Sequence, residues 1–69
     1  MHLTLEYEQE EDGRWLAEVP QLPGVLAYGV SASSAMAKAK VLALRVMAGQ
    51  LENRETKPVE INFSLSAFT

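Results

Sequence analysis

The sequence predicts an α+β domain, residues 1–69, with the element order β-β-β-α-β. Two observations support this prediction. Four short segments alternate apolar and polar residues, which is typical of half-buried strands. A longer segment before the last of them repeats apolar residues every three to four positions, as a helix with a buried face does. Because crossovers are right-handed, we expect a mixed four-stranded sheet of order 3-2-1-4 with the helix on one face.

The first two strands are predicted to form a hairpin. His2–Gln9 alternates, with Leu3, Leu5 and Tyr7 on its apolar side. Glu10-Glu11-Asp12-Gly13 indicates a tight turn, because glycine tolerates the positive φ that closes it. Arg14–Val19 alternates again, with Trp15, Ala17 and Val19 on the side that we expect to be buried. The short connection predicts antiparallel pairing.

Two prolines interrupt the chain after the second strand, in Val19-Pro20-Gln21-Leu22-Pro23-Gly24. Each proline fixes φ and lacks an N–H donor, so the strand ladder must end there. We expect Leu22 to pack against the core. Val25–Val30 is the third predicted strand, and Gly29 indicates a bend or a close approach near its end.

Ala32–Leu51 is the predicted helix, and Ser31 is its expected N-cap. No proline interrupts the segment. Gly49 offers a left-handed residue that would end the helix, although Leu51 and Asn53 allow another turn. The predicted buried face comprises Ala35, Met36, Ala39, Leu42, Ala43, Val46 and Met47.

A second apolar stripe runs along the opposite side of this helix. It contains Ala37, Val41, Leu44, Ala48 and Leu51. A helix that is apolar on two sides is usually covered on both, and 69 residues provide little material for a second cover. We therefore predict that Val41, Leu44, Ala48 and Leu51 form an interface with a partner or with a second copy, most simply in a homodimer.

The last part of the chain predicts a charged connection and a fourth strand. Pro58 ends any helical continuation through Glu52–Pro58. Val59–Leu65 alternates again, with Val59, Ile61, Phe63 and Leu65 on one side. Ser66–Thr69 is expected to be a short tail.

The composition limits the function classes. Hydrophobic residues make up 48% of the chain, which argues against disorder, and the absence of cysteine excludes disulfides and favours a reducing compartment. We find no apolar run long enough for a membrane span and no signal sequence, so we expect a cytoplasmic protein. The net charge of −3 argues against direct nucleic-acid binding and suits a basic protein partner.

Several motifs together resemble the N-terminal domain of HicB-family antitoxins. They are Glu11-Asp12-Gly13 with Trp15 after it, the turn Val19–Gly24, and the helix start Gly29–Ala35. The resemblance covers roughly residues 3–65. Val25 and Ser34 depart from the family pattern, where cysteine and glutamate are usual. We also expect no C-terminal DNA-binding domain, which longer family members carry.

The resemblance implies a partial RNase H-like fold and a HicA-type toxin as the partner. Such a toxin is a small basic protein that cleaves mRNA with a catalytic histidine, and the antitoxin blocks it by occlusion. The alternative is an orphan HicB-like module that oligomerises or senses a ligand. A neighbouring gene for a small basic protein containing histidine would favour the toxin partner.

We expect no enzyme activity, no cofactor and no metal site. A two-metal nuclease needs a constellation of carboxylates, whereas Asp12 is the only aspartate and His2 the only histidine. Trp15 and Tyr28 are better explained by packing or an interface than by base stacking, which needs a basic groove. The acidic residues of the hairpin are the candidate contacts for a basic partner, although they are equally explained by solubility: Glu6, Glu8, Glu10, Glu11, Asp12 and Glu18.

Overall fold

The computed structural model describes residues 2–54 and 61–67. Within these residues it contains the strands β1 (His2–Gln9), β2 (Trp15–Glu18), β3 (Leu26–Gly29) and β4 (Asn62–Ala67) and the helix α1 (Ala32–Arg54). The sheet order is β3-β2-β1-β4. β2 is antiparallel to both of its neighbours and β4 is parallel to β1. The predicted α+β fold and sheet order are confirmed.

Three strands differ in length from their predictions. β2 and β3 are shorter than Arg14–Val19 and Val25–Val30. Val30, which is 90% exposed, belongs to the link that leads into α1. β4 begins at Asn62 and continues to Ala67, beyond the predicted end at Leu65. Val59, and most of the predicted connection Glu52–Pro58, lie outside the described residues.

The core lies between one face of the sheet and α1. Its buried side chains come from β1, from β2 and the turn after it, and from the helix: Leu3, Leu5, Ala17, Val19, Leu22, Val25, Ala35, Ala39, Ala43 and Met47. The helix contacts β1, β2 and β3. Its buried alanines let the helix approach the strands closely, so small residues determine this interface.

The buried face of α1 differs from the predicted one at three positions. Val46 is 38% exposed, and Met36 and Leu42 are only half-buried. The fully buried residues are spaced by four, and each such step turns about 40° around the helix. The helix therefore crosses the sheet obliquely, and the direction that faces the core rotates from Ala35 towards Met47. Val46 points away from the core for this reason.

The proline turn closes through backbone hydrogen bonds. The Leu22 N–H donates to the Val19 carbonyl, and the Val25 N–H donates to the Leu22 carbonyl, both at 3.0 Å. Gly24 has a φ of 87°, which favours glycine. Leu22 is buried, as predicted.

The start of α1 is fixed by a side-chain cap and by a glycine. The Ser31 hydroxyl accepts a hydrogen bond from the Ser34 N–H at 3.0 Å, which confirms the predicted N-cap. A Cβ on Gly29 would lie 2.6 Å from the Ala35 nitrogen. Gly29 thus allows β3 to pass directly beneath the first turn. At the other end the helix continues through Gly49 to Arg54, so Gly49 does not end it.

Candidate partner-binding surfaces

The face of the sheet that points away from α1 carries acidic side chains on β1 and β2. Glu6 lies directly opposite Glu18 in the antiparallel ladder, and Glu8 lies opposite Leu16. Alternation along the strands places all three carboxylates on this outer face, because the intervening Leu5, Tyr7 and Ala17 face the helix. Like charges directly opposite each other destabilise a sheet. The Glu6–Glu18 pair is therefore an unfavourable arrangement for folding alone.

The hairpin turn extends the acidic surface at one end of the sheet. The Gly13 N–H donates to the Glu10 carbonyl at 3.0 Å, and the Glu10 N–H donates to the Arg14 carbonyl at 2.7 Å. Gly13 has a φ of 92°. These contacts form a three-residue hairpin loop with glycine in the left-handed position. Glu11 lies exposed at the tip, and Glu10 is half-buried beside it.

Asp12 is engaged within the hairpin itself. Its carboxylate accepts hydrogen bonds from the Arg14 backbone N–H at 3.0 Å and from the Arg14 Nε at 2.7 Å. The backbone hydrogen bond, followed by the side-chain hydrogen bond, lowers the pKa of Asp12 below its ordinary value of 3.8. Of the six acidic residues predicted to contact a partner, Asp12 is thus the one whose charge is already paired.

The positive charges of the described residues lie mostly on the other side of the molecule. Lys38, Lys40 and Arg45 are on α1, and Arg14 is paired with Asp12. Among residues 2–54 and 61–67, Arg14–Asp12 is the one salt bridge. The described part of the chain also holds no group of three or more His, Cys, Asp or Glu residues able to hold a metal ion. Among the described residues, every carboxylate except Glu52 of α1 lies on the sheet or hairpin, and every cation except Arg14 lies on the helix.

The apolar stripe predicted on α1 is mostly exposed. Val41 and Leu44 are 47% and 44% exposed, and Ala37 and Ala48 are also exposed. Leu51 is half-buried, because the core-facing direction has rotated towards it at this end of the helix. Two large apolar side chains thus face outward on the helix without a cover from the described part of the chain.

A groove of about 450 Å³ lies between α1 and β3, and the sequence reasoning did not find it. Its lining consists of Ala27, Tyr28, Ala37, Lys38, Val41, Leu42 and Arg45. Lys38 Nζ donates a hydrogen bond to the Tyr28 carbonyl at 3.3 Å. On the outer face of the sheet, the Arg14 guanidinium carbon lies 4.4 Å from the Tyr28 ring centroid. Lys38 and Arg45 are two turns apart and so lie on one side of the helix. This spacing was the feature of the sequence that could have indicated a positively charged groove there.

A smaller groove of about 240 Å³ lies on the opposite flank of α1. Leu5, Met36, Lys40 and Leu65 contribute to its lining. Lys40 Nζ lies 5.4 Å from the centroid of the Phe63 ring, which places a cation over an aromatic face. Leu65 is 62% exposed although it pairs with the buried Leu5, because the backbone of α1 packs on β1, β2 and β3, and β4 is approached by side chains such as that of Lys40.

No protein-family model matches the chain, and no curated protein and no solved structure matches it either. Within residues 2–54 and 61–67, no helix has both the length and the apolar character required to cross a membrane.

Proposed function

We propose that this chain is a HicB-like antitoxin that acts in the cytoplasm and neutralises a small, basic, mRNA-cleaving toxin of the HicA type by direct contact. The observation that supports this proposal is the Glu6–Glu18 pair on the open face of the sheet, with Glu8 beside it. The proposal needs no catalytic residue and no cofactor in this chain, since the antitoxin acts by covering the toxin surface.

The physical reason lies in what the two surfaces need. A toxin that binds RNA presents cations for the phosphates, and an acidic face competes with phosphate for those cations. The Glu6–Glu18 repulsion costs stability in the free protein. A cationic partner placed over both carboxylates removes that repulsion and adds attraction. The same residues that weaken the isolated sheet therefore strengthen the complex.

The hairpin acidic residues contribute in a different way. Glu10 and Glu11 lie at the end of the acidic face, and charges at the rim of an interface mainly raise the association rate. Asp12 contributes less, because Arg14 already neutralises it. We therefore rank Glu6, Glu8 and Glu18 as the main contacts and the turn as the steering element.

The test measures association with a purified HicA-type toxin whose catalytic histidine has been replaced. The double variant Glu6→Gln with Glu18→Gln should associate about three- to tenfold more slowly at about 0.01 M salt. The difference should largely vanish at about 1 M salt, where the Debye length is roughly 3 Å. Glu10→Gln with Glu11→Gln should slow association without a large change in dissociation.

A matched control and a stability measurement make this test specific. Glu52→Gln removes an exposed carboxylate on α1, away from the acidic face, and should leave association unchanged. The Glu6→Gln and Glu18→Gln double variant should also be more stable than the natural chain, by about 0.2–1 kcal/mol, since it removes a like-charge pair. Equal association rates for all of these variants would contradict the proposed contact face.

A second candidate function is an orphan HicB-like module that oligomerises or senses a ligand. The exposed Val41 and Leu44 on α1 favour this candidate, because they provide an apolar surface for a second copy. A homodimer through Val41, Leu44, Ala48 and Leu51 is compatible with both functions. Co-purification from the native host separates them, since only the antitoxin recovers a small basic protein with the chain.

A further inference from the structure

β3 is an edge strand, and its free side is defined by the hydrogen-bond register. The Val19 N–H donates to the Val25 carbonyl at 3.0 Å, so these residues form a hydrogen-bonded pair. Such pairs alternate with non-hydrogen-bonded pairs along an antiparallel ladder. Leu26 and Tyr28 therefore belong to non-hydrogen-bonded pairs with Glu18 and Leu16. Their N–H and C=O groups point away from β2, towards a side where no described strand lies.

The surroundings of this edge are apolar and positively charged. On the helix side of the sheet, Ala27, Val41 and Leu42 line the groove of about 450 Å³, and Lys38 and Arg45 border it. On the outer side, Leu26 and Tyr28 are 43% and 40% exposed. Lys38 Nζ bonds the Tyr28 carbonyl, which is one of the outward-pointing groups of the edge. A lysine placed in this way protects an open edge against unselective pairing.

We propose that the β3 edge and its groove bind an extended acidic segment of a partner protein, which adds to the sheet as a fifth strand. The outward groups of Leu26 and Tyr28 supply the backbone hydrogen bonds, as in other cases of strand addition. A carboxylate on the incoming segment draws Lys38 away from the Tyr28 carbonyl and pairs with it. Only acidic segments are therefore recognised, because a carboxylate replaces the hydrogen bond from Lys38 to the Tyr28 carbonyl with an ion pair.

Charge decides between an acidic segment and a second copy of this chain. Consider two copies that pair through their β3 edges around a two-fold axis at Ala27. Lys38 and Arg45 of both copies would then lie on the same face of the joined sheet, on either side of the two β3 strands. Like charges there oppose association. An acidic segment instead neutralises both cations. Lys38 and Arg45 lie on the helix side of the sheet, whereas the Glu6 and Glu18 carboxylates lie on its outer face, where Glu18 is the cross-strand neighbour of Leu26. The proposed segment therefore uses cations that the proposed toxin contact does not use.

The register also predicts the side-chain pattern of the bound segment. Residues that face the helix should be acidic or apolar, to meet Lys38, Arg45 and the groove floor. Residues that face the other way lie beside Leu26 and Tyr28 and should be β-branched or apolar. The peptide TEVLVET, acetylated and amidated, has this pattern and serves as the probe.

The experiment measures binding of this peptide to the full chain by calorimetry or fluorescence anisotropy. Binding should weaken strongly for TKVLVKT, in which both carboxylates become cations. The peptide should also be tested with N-methyl groups either on its two valines or on its leucine, because these modifications block opposite edges of a strand. Strand addition requires that one of the two modifications abolishes binding while the other leaves it intact.

Protein variants locate the site. Lys38→Gln and Arg45→Gln should each weaken binding about two- to fivefold, as expected for exposed ion pairs. Lys40→Gln, on the other flank of the helix, should leave it unchanged. The proposal is overturned if TEVLVET does not bind at about 1 mM, or if TKVLVKT binds equally well. It is also overturned if the chain sediments as a dimer that Leu26→Pro dissociates, because the edge would then belong to a second copy.

Discussion

The side-chain amide of Gln21 makes two hydrogen bonds with Thr4. Gln21 Oε1 accepts from the Thr4 backbone N–H at 3.1 Å, and Gln21 Nε2 donates to the Thr4 hydroxyl at 3.1 Å. The last pair of the β1–β2 ladder is Glu6–Glu18, and Thr4 lies two residues beyond it, level with Pro20 if the register is continued. The Gln21 side chain thus gives the Thr4 N–H the acceptor that a continued backbone ladder would have provided. It joins the turn to β1 and holds the acidic β1–β2 unit at its open end.

Gln21→Ala should therefore destabilise the protein by about 0.5–1.5 kcal/mol, because the Thr4 N–H loses its acceptor and the hydroxyl its donor. Denaturant unfolding measures this change. Gln21→Glu is the control, since a carboxylate still accepts from the Thr4 N–H and should recover part of the loss. Equal destabilisation by both substitutions would show that the Thr4 N–H bond contributes little.

Ser31→Ala should cost about 1 kcal/mol, because it removes the acceptor for the Ser34 N–H at the start of α1. The same substitution at Ser33, an exposed residue of the first turn, serves as the control and should be nearly neutral. Thermal and urea unfolding of both variants provide the comparison. A larger loss at Ser33 than at Ser31 would contradict the capping geometry.

Two glycines should respond in opposite directions to alanine. Gly29→Ala should destabilise by about 1–3 kcal/mol, since the new Cβ would lie 2.6 Å from the Ala35 nitrogen. Gly49→Ala lies inside α1 with nothing within 4 Å of the added Cβ, and should stabilise by about 0.8–1 kcal/mol. Urea unfolding gives both values. The close approach of β3 to the first turn is refuted if Gly29→Ala is as stable as the natural chain.

The local elements were predictable because their signals are local. Alternation in His2–Gln9 gave the bounds of β1, and Ser31 gave the start of α1. The buried face of the helix was predicted less well. Periodicity assumes one direction towards the core, whereas α1 crosses the sheet obliquely and exposes Val46. That crossing angle depends on how the helix packs against three strands that lie elsewhere in the chain. The sequence of the helix alone therefore does not reveal it.

The candidate sites were predictable only in part. Alternation was enough to place Glu6, Glu8 and Glu18 together on the open face. It gave no indication that Asp12 is neutralised by Arg14, because the turn geometry that aligns them forms only in the hairpin. The groove beside β3 was missed for a related reason. Lys38 and Tyr28 are ten residues apart and meet only when the helix packs on the sheet.

The pH dependence of stability should include a contribution from Asp12. Its pKa is lowered in the folded protein, so the folded state favours the charged carboxylate more than the unfolded state does. This contribution is present above the ordinary pKa of 3.8 and is lost as the pH falls through the lower folded pKa. Asp12→Asn should accordingly be less stable than the natural chain at pH 7, and the difference should shrink below about pH 4. Thermal unfolding from pH 7 to about pH 3 measures it, and a difference that grows on acidification would contradict the sign.

The final prediction concerns self-association through the outward stripe of α1. The natural chain should sediment above its monomer mass of 7.6 kDa at micromolar concentration, because Val41 and Leu44 favour burial. Leu44→Glu should shift the protein to the monomer, since burying the new carboxylate in an apolar interface is costly. Val46→Glu is the matched control, because Val46 is similarly exposed but lies about 200° further around the helix. It should leave the assembly intact. A natural chain that sediments at 7.6 kDa, or equal dissociation by both variants, would show that this stripe is not the interface.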